Sequence, residues 1–130
     1  MGTREAISTD AAPAAVGPYS QAMRAGGLVF TAGQLGIDPA SGELVGEGVA
    51  EQAERALVNL GAILASAGSG MERLVKVTVY LAEIGDWPAV NEVYARLVPE
   101  PFPARSAFAV RDLPRAARIE IEAVAMVGVG

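Results

Sequence analysis

Between residues 49 and 67 the apolar side chains Ala53, Ala56, Leu57, Leu60, Ile63, Leu64 and Ala67 recur at spacings of three and four. That is one face of an α-helix, and Gly68 behind it suits a left-handed C-terminal cap. From residue 74 to 81 the period changes to two. Val75, Val77, Val79 and Leu81 face one way and Lys76, Thr78 and Tyr80 the other, which predicts a strand with one dry face. A second helix is predicted after Asp86, a capping residue, with Pro88 in its first turn, where a missing N–H costs little. Its buried stripe is Val90, Val93, Tyr94 and Leu97, with Asn91 placed on it as well, and Pro99 and Pro101 end it.

The remaining segments read as strands and loops. Residues 6–17 carry Pro13, Gly17 and several Ala and predict an extended or looped start. Residues 20–25 and 28–34 flank Gly26-Gly27, the pattern of a hairpin with a primed turn. Residues 38–42 are dense in turn formers. Residues 104–110 and 118–127 predict two more strands, joined through residues 111–117 with Pro114. The order is β-β-α-β-α-β-β in one domain spanning residues 1–130. It predicts an α+β fold with both helices on one face of a sheet. The other sheet face then has no cover within the chain, which points to an oligomer.

Composition sharpens this picture. Hydrophobic residues make up 52% of the chain and charged ones 19%, rich in apolar surface for this size. The net charge is −5 and the ten Lys and Arg are scattered, so a nucleic acid backbone is a poor match for a partner. No long apolar run spans a membrane, and Met1-Gly2-Thr3-Arg4-Glu5 lacks a signal-peptide core, so the expected location is the cytoplasm. Cys and His are both absent. That removes thiolate nucleophiles, Ser-His machinery and the commonest transition-metal ligands. Any catalysis runs on carboxylates, Arg, Lys, Tyr, hydroxyls and backbone amides, and no metal or cofactor is expected.

The most informative chemistry lies in the C-terminal third. Phe102-Pro103-Ala104-Arg105-Ser106 starts an apolar strand with an arginine, and Ile119-Glu120-Ile121-Glu122-Ala123 puts two carboxylates on one strand face. An arginine fork holds a carboxylate in two parallel hydrogen bonds, and a carboxylate nearby positions or deprotonates a water. Taken alone, a strand arginine is more often in a surface salt bridge, here with Glu120 or Glu122, and the two glutamates are more often a solvated face.

Five segments in order resemble the RidA, or YjgF-like, reactive-intermediate deaminases. They are Gly17-Pro18-Tyr19-Ser20-Gln21; Thr31-Ala32-Gly33-Gln34; Val75 to Leu81 with Val90-Asn91-Glu92-Val93-Tyr94; Pro103-Ala104-Arg105-Ser106; and Ile119-Glu120-Ile121-Glu122-Ala123. The resemblance implies a chorismate-mutase-like homotrimer with a barrel-like sheet core and clefts between subunits. It implies hydrolysis of 2-imino acids or their enamines, 2-iminobutanoate and 2-iminopropanoate, to 2-keto acids and ammonia. It also implies roles: Arg105 with the amides of Gly33 and Ala107 on the substrate carboxylate, Glu120 on the water, Tyr19 assisting proton transfer, Asn91 contacting substrate. Glu122 is then structural, and Trp87 and Phe108 are packing groups. The chain departs from many family members by Ala32 in place of Ser and Ala107 in place of Cys. Two rivals stay open. One is a non-catalytic carboxylate-binding or sensor protein on the same scaffold. The other, against which the acidic, His-free chain argues, is an endoribonuclease.

Overall fold

The computed structural model describes residues 2–128; Met1, part of the N-terminal segment read above, and residues 129–130 lie outside them. Its strands are β1 (Glu5–Ile7), β2 (Ala22–Ala25), β3 (Leu28–Thr31), β4 (Leu74–Leu81), β5 (Ala104–Ala109) and β6 (Ile119–Met126), and its helices α1 (Val49–Ser66) and α2 (Trp87–Leu97). The strands form one six-stranded sheet in the order β1-β2-β3-β6-β4-β5. Every pairing is antiparallel except β4 with β5, which are parallel and joined through α2. A parallel pair needs such a crossover, and a helix is the usual one.

Local chemistry explains most of the elements. Gly26 and Gly27 both have positive φ, 58° and 79°, as the primed turn between β2 and β3 requires. The α1 stripe is buried as the spacing predicts, with Leu60, Ile63 and Leu64 at 0% exposure. Each such side chain contributes about 1.5–3 kcal/mol on burial. The helix ends at Ser66, and Gly68 sits in the left-handed region at φ 80°. Opposite α1 and α2 lie Val77, Val79 and Leu81 of β4 and Ile119, Ile121 and Ala125 of β6. The core therefore lies between the two helices and one face of the sheet. The other face carries Phe30, Phe108 and Met126, each 45–48% exposed, so the predicted uncovered face is present. Among the described residues no helix is long and apolar enough to cross a membrane.

Several expectations are corrected. β1 falls at the start of the segment read as extended or looped; three residues are too few to show a period, and their pairing with β2 makes them a strand. β3 stops at Thr31 rather than residue 34, although Gln34 bridges to Ile121 through backbone bonds of 2.7 and 3.0 Å. Val75 is 43% exposed instead of lying in the dry face, because the register with β6 shifts between Leu74 and Lys76. Asp86 precedes α2 but makes no side-chain cap; its carboxylate accepts from Arg118 Nη2 at 2.7 Å. The strand expected at 104–110 is present as β5, an exposed edge strand in the single chain.

Buried amides hold the long loops to α1. Asn59, at 0% exposure, donates to the carbonyls of Leu35 and Ile37 and accepts from Arg55. Gln52, at 1% exposure, donates to the Gly46 carbonyl at 2.7 Å and accepts from the Arg118 amide at 2.8 Å. It thus ties α1 to the start of β6. Gln52→Leu leaves both partners unpaired and is expected to cost about 1–3 kcal/mol. Thermal or denaturant unfolding checks this, and an unchanged midpoint would show that the loop does not depend on the amide.

Candidate active site

Strand register decides where the predicted site residues point. Directly opposed residues share a sheet face, and successive residues alternate. Val77, fully buried under the helices, is opposed by Arg105 on β5. Tyr80, an odd number of residues further along, is opposed by Phe108 on one side and Glu120 on the other. Arg105 therefore projects on the helix face and Glu120 on the open face. Within one chain the arginine and the carboxylate do not meet, which removes the salt bridge considered from sequence.

Arg105 is met by helix α2. Its Cζ lies 4.4 Å from the Trp87 ring centroid and 4.6 Å from that of Tyr94. Its Nη1 donates to Asn91 Oδ1 at 3.0 Å. No carboxylate pairs with it among the described residues. Asn91 is exposed, not on the buried stripe where the periodicity placed it, and its amide oxygen faces the guanidinium. Trp87, read as a packing group, packs against the core and also lies under the cation. A cavity of about 310 Å³ opens beside Arg105, between Asn91, Tyr94 and Ala95 of α2 and Phe102 and Pro103. The Tyr94 hydroxyl is buried and makes no hydrogen bond among the described residues. Burial pushes its phenol up from the ordinary range, and the Arg105 charge offsets part of that.

Ala107 sits two residues along the same edge. The Val110 amide donates to the Leu81 carbonyl at 2.8 Å, so alternation turns the Ala107 amide away from β4. β5 has no strand on its outer side, so that amide lies on a free edge beside Arg105. Loss of a side-chain thiol at this position leaves the amide in place.

The second group lies on the open face. A Cβ on Gly33 would stand 2.6 Å from Glu120 Oε2, so the glycine leaves the space that the carboxylate fills. Burial, and after it the negative charge of Glu122, push the Glu120 carboxyl above the usual carboxylate range. Tyr80 is opposed by Glu120 across the strand pair, with Glu122 on the diagonal opposite Thr78, and burial followed by Glu122 raises its phenol. Phe108 is 45% exposed and meets Tyr80 edge-on at 5.4 Å between centroids. Tyr19, 53% exposed, lies in the loop before β2. The Ala32 amide donates to the Gln21 carbonyl at 2.8 Å, which sets this loop beside Gly33. Gly33 and Glu120 thus belong to one group, and Arg105, Asn91 and the Ala107 edge to another, while Tyr19 lines a separate cleft with residues 6–10, 14 and 15. Trp87, Tyr94 and Tyr80 were not picked out from sequence as site groups. The four-then-three spacing of Trp87, Asn91 and Tyr94 on a helix was the available signal for the first two.

Comparison with known proteins defines the class first. The chain belongs to the endoribonuclease L-PSP family, whose pattern it matches over residues 9–127. Among its relatives, the 2-iminobutanoate/2-iminopropanoate deaminase of Bos taurus is 52% identical, over 96% of this chain and 91% of the relative. The human protein of the same name is 51% identical over the same shares. The crystal structure of RidA from the Antarctic bacterium Psychrobacter superposes with a TM-score of 0.91 at 43% identity, covering 95% of this chain and 99% of that one. The Psychrobacter structure carries the family name that the motifs suggested, and the two mammalian relatives carry the name of the expected activity.

Two outcomes follow from the geometry. Gly33→Ala must push the Glu120 side chain aside from Cγ outward, so turnover is expected to fall about ten-fold or more. Steady-state kinetics beside a melting curve checks this. A base acts only when ionised, so on the expectation that Glu120 acts on the water, its raised value makes activity climb with pH across that value. Glu122→Gln removes a negative neighbour, so the acid limb of the pH–rate profile is expected to move to lower pH. An unmoved limb would show that Glu120 does not set it.

Proposed function

We propose that this protein hydrolyses reactive 2-imino acids and their enamine tautomers, 2-iminobutanoate and 2-iminopropanoate among them, to 2-keto acids and ammonia. It acts as a homotrimer whose sites lie between subunits, Arg105 of one facing Glu120 of the partner subunit. The observation that carries this reading is the pair of half-sites on opposite sheet faces. One is a guanidinium without a carboxylate partner among the described residues. The other is a raised carboxyl beside a glycine. Named relatives about half identical over nearly the whole chain supply the substrate class.

The chemistry needs little more. An imine carbon is electrophilic and accepts water directly. Arg105, with the backbone amides of Ala107 and Gly33, holds the substrate carboxylate. Glu120 takes a proton from the attacking water as the C–O bond forms. Protons pass to nitrogen, with Tyr19 assisting, until the C–N bond of the carbinolamine breaks. Ammonia leaves and the 2-keto acid remains. Proximity supplies much of the rate. The exposed Phe30, Phe108 and Met126 are the surface that trimer formation covers. We place the protein in the cytoplasm, in metabolite damage control, without cofactor, metal or nucleic acid.

Arg105→Lys keeps the charge and loses the fork, so it is expected to lose most activity, and Arg105→Ala nearly all, with the trimer intact. Glu120→Gln is expected to lower turnover while 2-keto-acid binding persists. Decay of imines generated from Ser or Thr by a coupled dehydratase measures each, with and without EDTA, which should change nothing. Normal turnover by Arg105→Lys would contradict the fork, and binding without any catalysis in the native protein would favour the sensor reading. Sedimentation at micromolar concentration is expected to show a trimer burying more than about 1,000 Å² at each contact. A monomer would contradict the shared site.

A further inference from the structure

We infer that α2 is the positioning element for Arg105: Trp87, Asn91 and Tyr94 hold the guanidinium so that its Nε–Nη2 edge faces the incoming carboxylate. The inference rests on the deaminase reading and adds residues to it. Positions 87, 91 and 94 follow one another by four and three, so they form one stripe along the helix. All three touch the guanidinium, two through ring faces and one through an amide oxygen.

The chemistry of these partners matters as much as their number. A guanidinium offers five N–H groups in a rigid plane. A carboxylate partner would neutralise the charge and compete with substrate for the fork. Aromatic faces and a neutral amide attract the cation without doing either. They also remove the side-chain freedom that substrate binding would otherwise have to freeze. Asn91 occupies Nη1. That leaves Nε–Nη2 as the bidentate edge with both nitrogens unengaged among the described residues. The cavity bounded by Ala95, Phe102 and Pro103 lies against the same arginine and admits a small ligand to it.

Trp87 is the single tryptophan of the chain, so its emission reports on the cation independently of activity. The test measures 2-oxobutanoate binding by calorimetry, imine turnover and Trp87 fluorescence. The proteins are the wild type, Asn91→Ala, Trp87→Leu, Trp87→Phe and Tyr94→Phe, with Arg105→Ala and Arg105→Lys as references. Asn91→Ala and Trp87→Leu are expected to raise KM and the 2-oxobutanoate Kd together by about ten-fold, with kcat within about two-fold and the melting point held. Trp87→Phe restores most of the loss, and Tyr94→Phe, which keeps the ring, changes little. Arg105→Ala shifts Trp87 emission in the absence of ligand. Asn91→Ala added to Arg105→Lys costs little further, because the pair acts through one fork. Wild-type Kd in both Asn91→Ala and Trp87→Leu, with binding abolished in Arg105→Ala, would overturn the positioning role and leave the clamp standing. Independent, multiplying losses in the double variant would also overturn it. Normal 2-oxobutanoate binding by Arg105→Ala would overturn the clamp itself, and this inference with it.

Discussion

Side chains on a β-strand alternate between faces, and the arrangement of this molecule depends on that. Arg105 and Glu120 are registered on β4 against Val77 and Tyr80, an odd number of residues apart. No rotamer change brings them together through the sheet. The helix face takes the cation and the open face takes the acid. A reaction needing both must draw on two copies of the chain, and the proposed function therefore ties catalysis to assembly.

The two faces also differ in how they treat charge. On the helix face, α2 offers Arg105 two rings and an amide and no anion, so the guanidinium keeps its charge for a ligand. On the open face, Glu120 lies in the space left by Gly33 and next to Glu122, where burial and a like charge both favour the protonated form. Linkage gives the sign of its effect on stability. A carboxyl raised in the folded state contributes stability below the ordinary glutamate value and loses it as pH rises through the raised one. The acid face therefore opposes folding at neutral pH, a strain of the kind functional sites carry.

The loops that complete these faces are held by buried polar side chains. Gln52 and Asn59 of α1 bind backbone groups of residues 35–46 and of Arg118, and Gln21 binds the backbone of Thr9, Ala12 and Pro13. In one-dimensional pattern each is merely a polar residue. Their partners lie up to 66 residues away, so their role exists only in the folded chain.

The sequence by itself determined the parts that depend on neighbours along the chain. The α1 stripe, the Gly26-Gly27 turn, the alternation of β4 and β6 and the uncovered sheet face all follow from local spacing, and the motifs carried the family. Arg105 and Glu120 stood out because their residue types are scarce in strands that are otherwise apolar. Tertiary structure alone decided the rest. It moved Val75 out of the dry face through a register shift, and drew Asp86 away from the helix cap to Arg118. It turned Asn91 outward and set Trp87 and Tyr94 against the arginine. Each outcome rests on a pairing between distant segments, and a period of two or of 3.6 says which residues share a face but not what that face will meet.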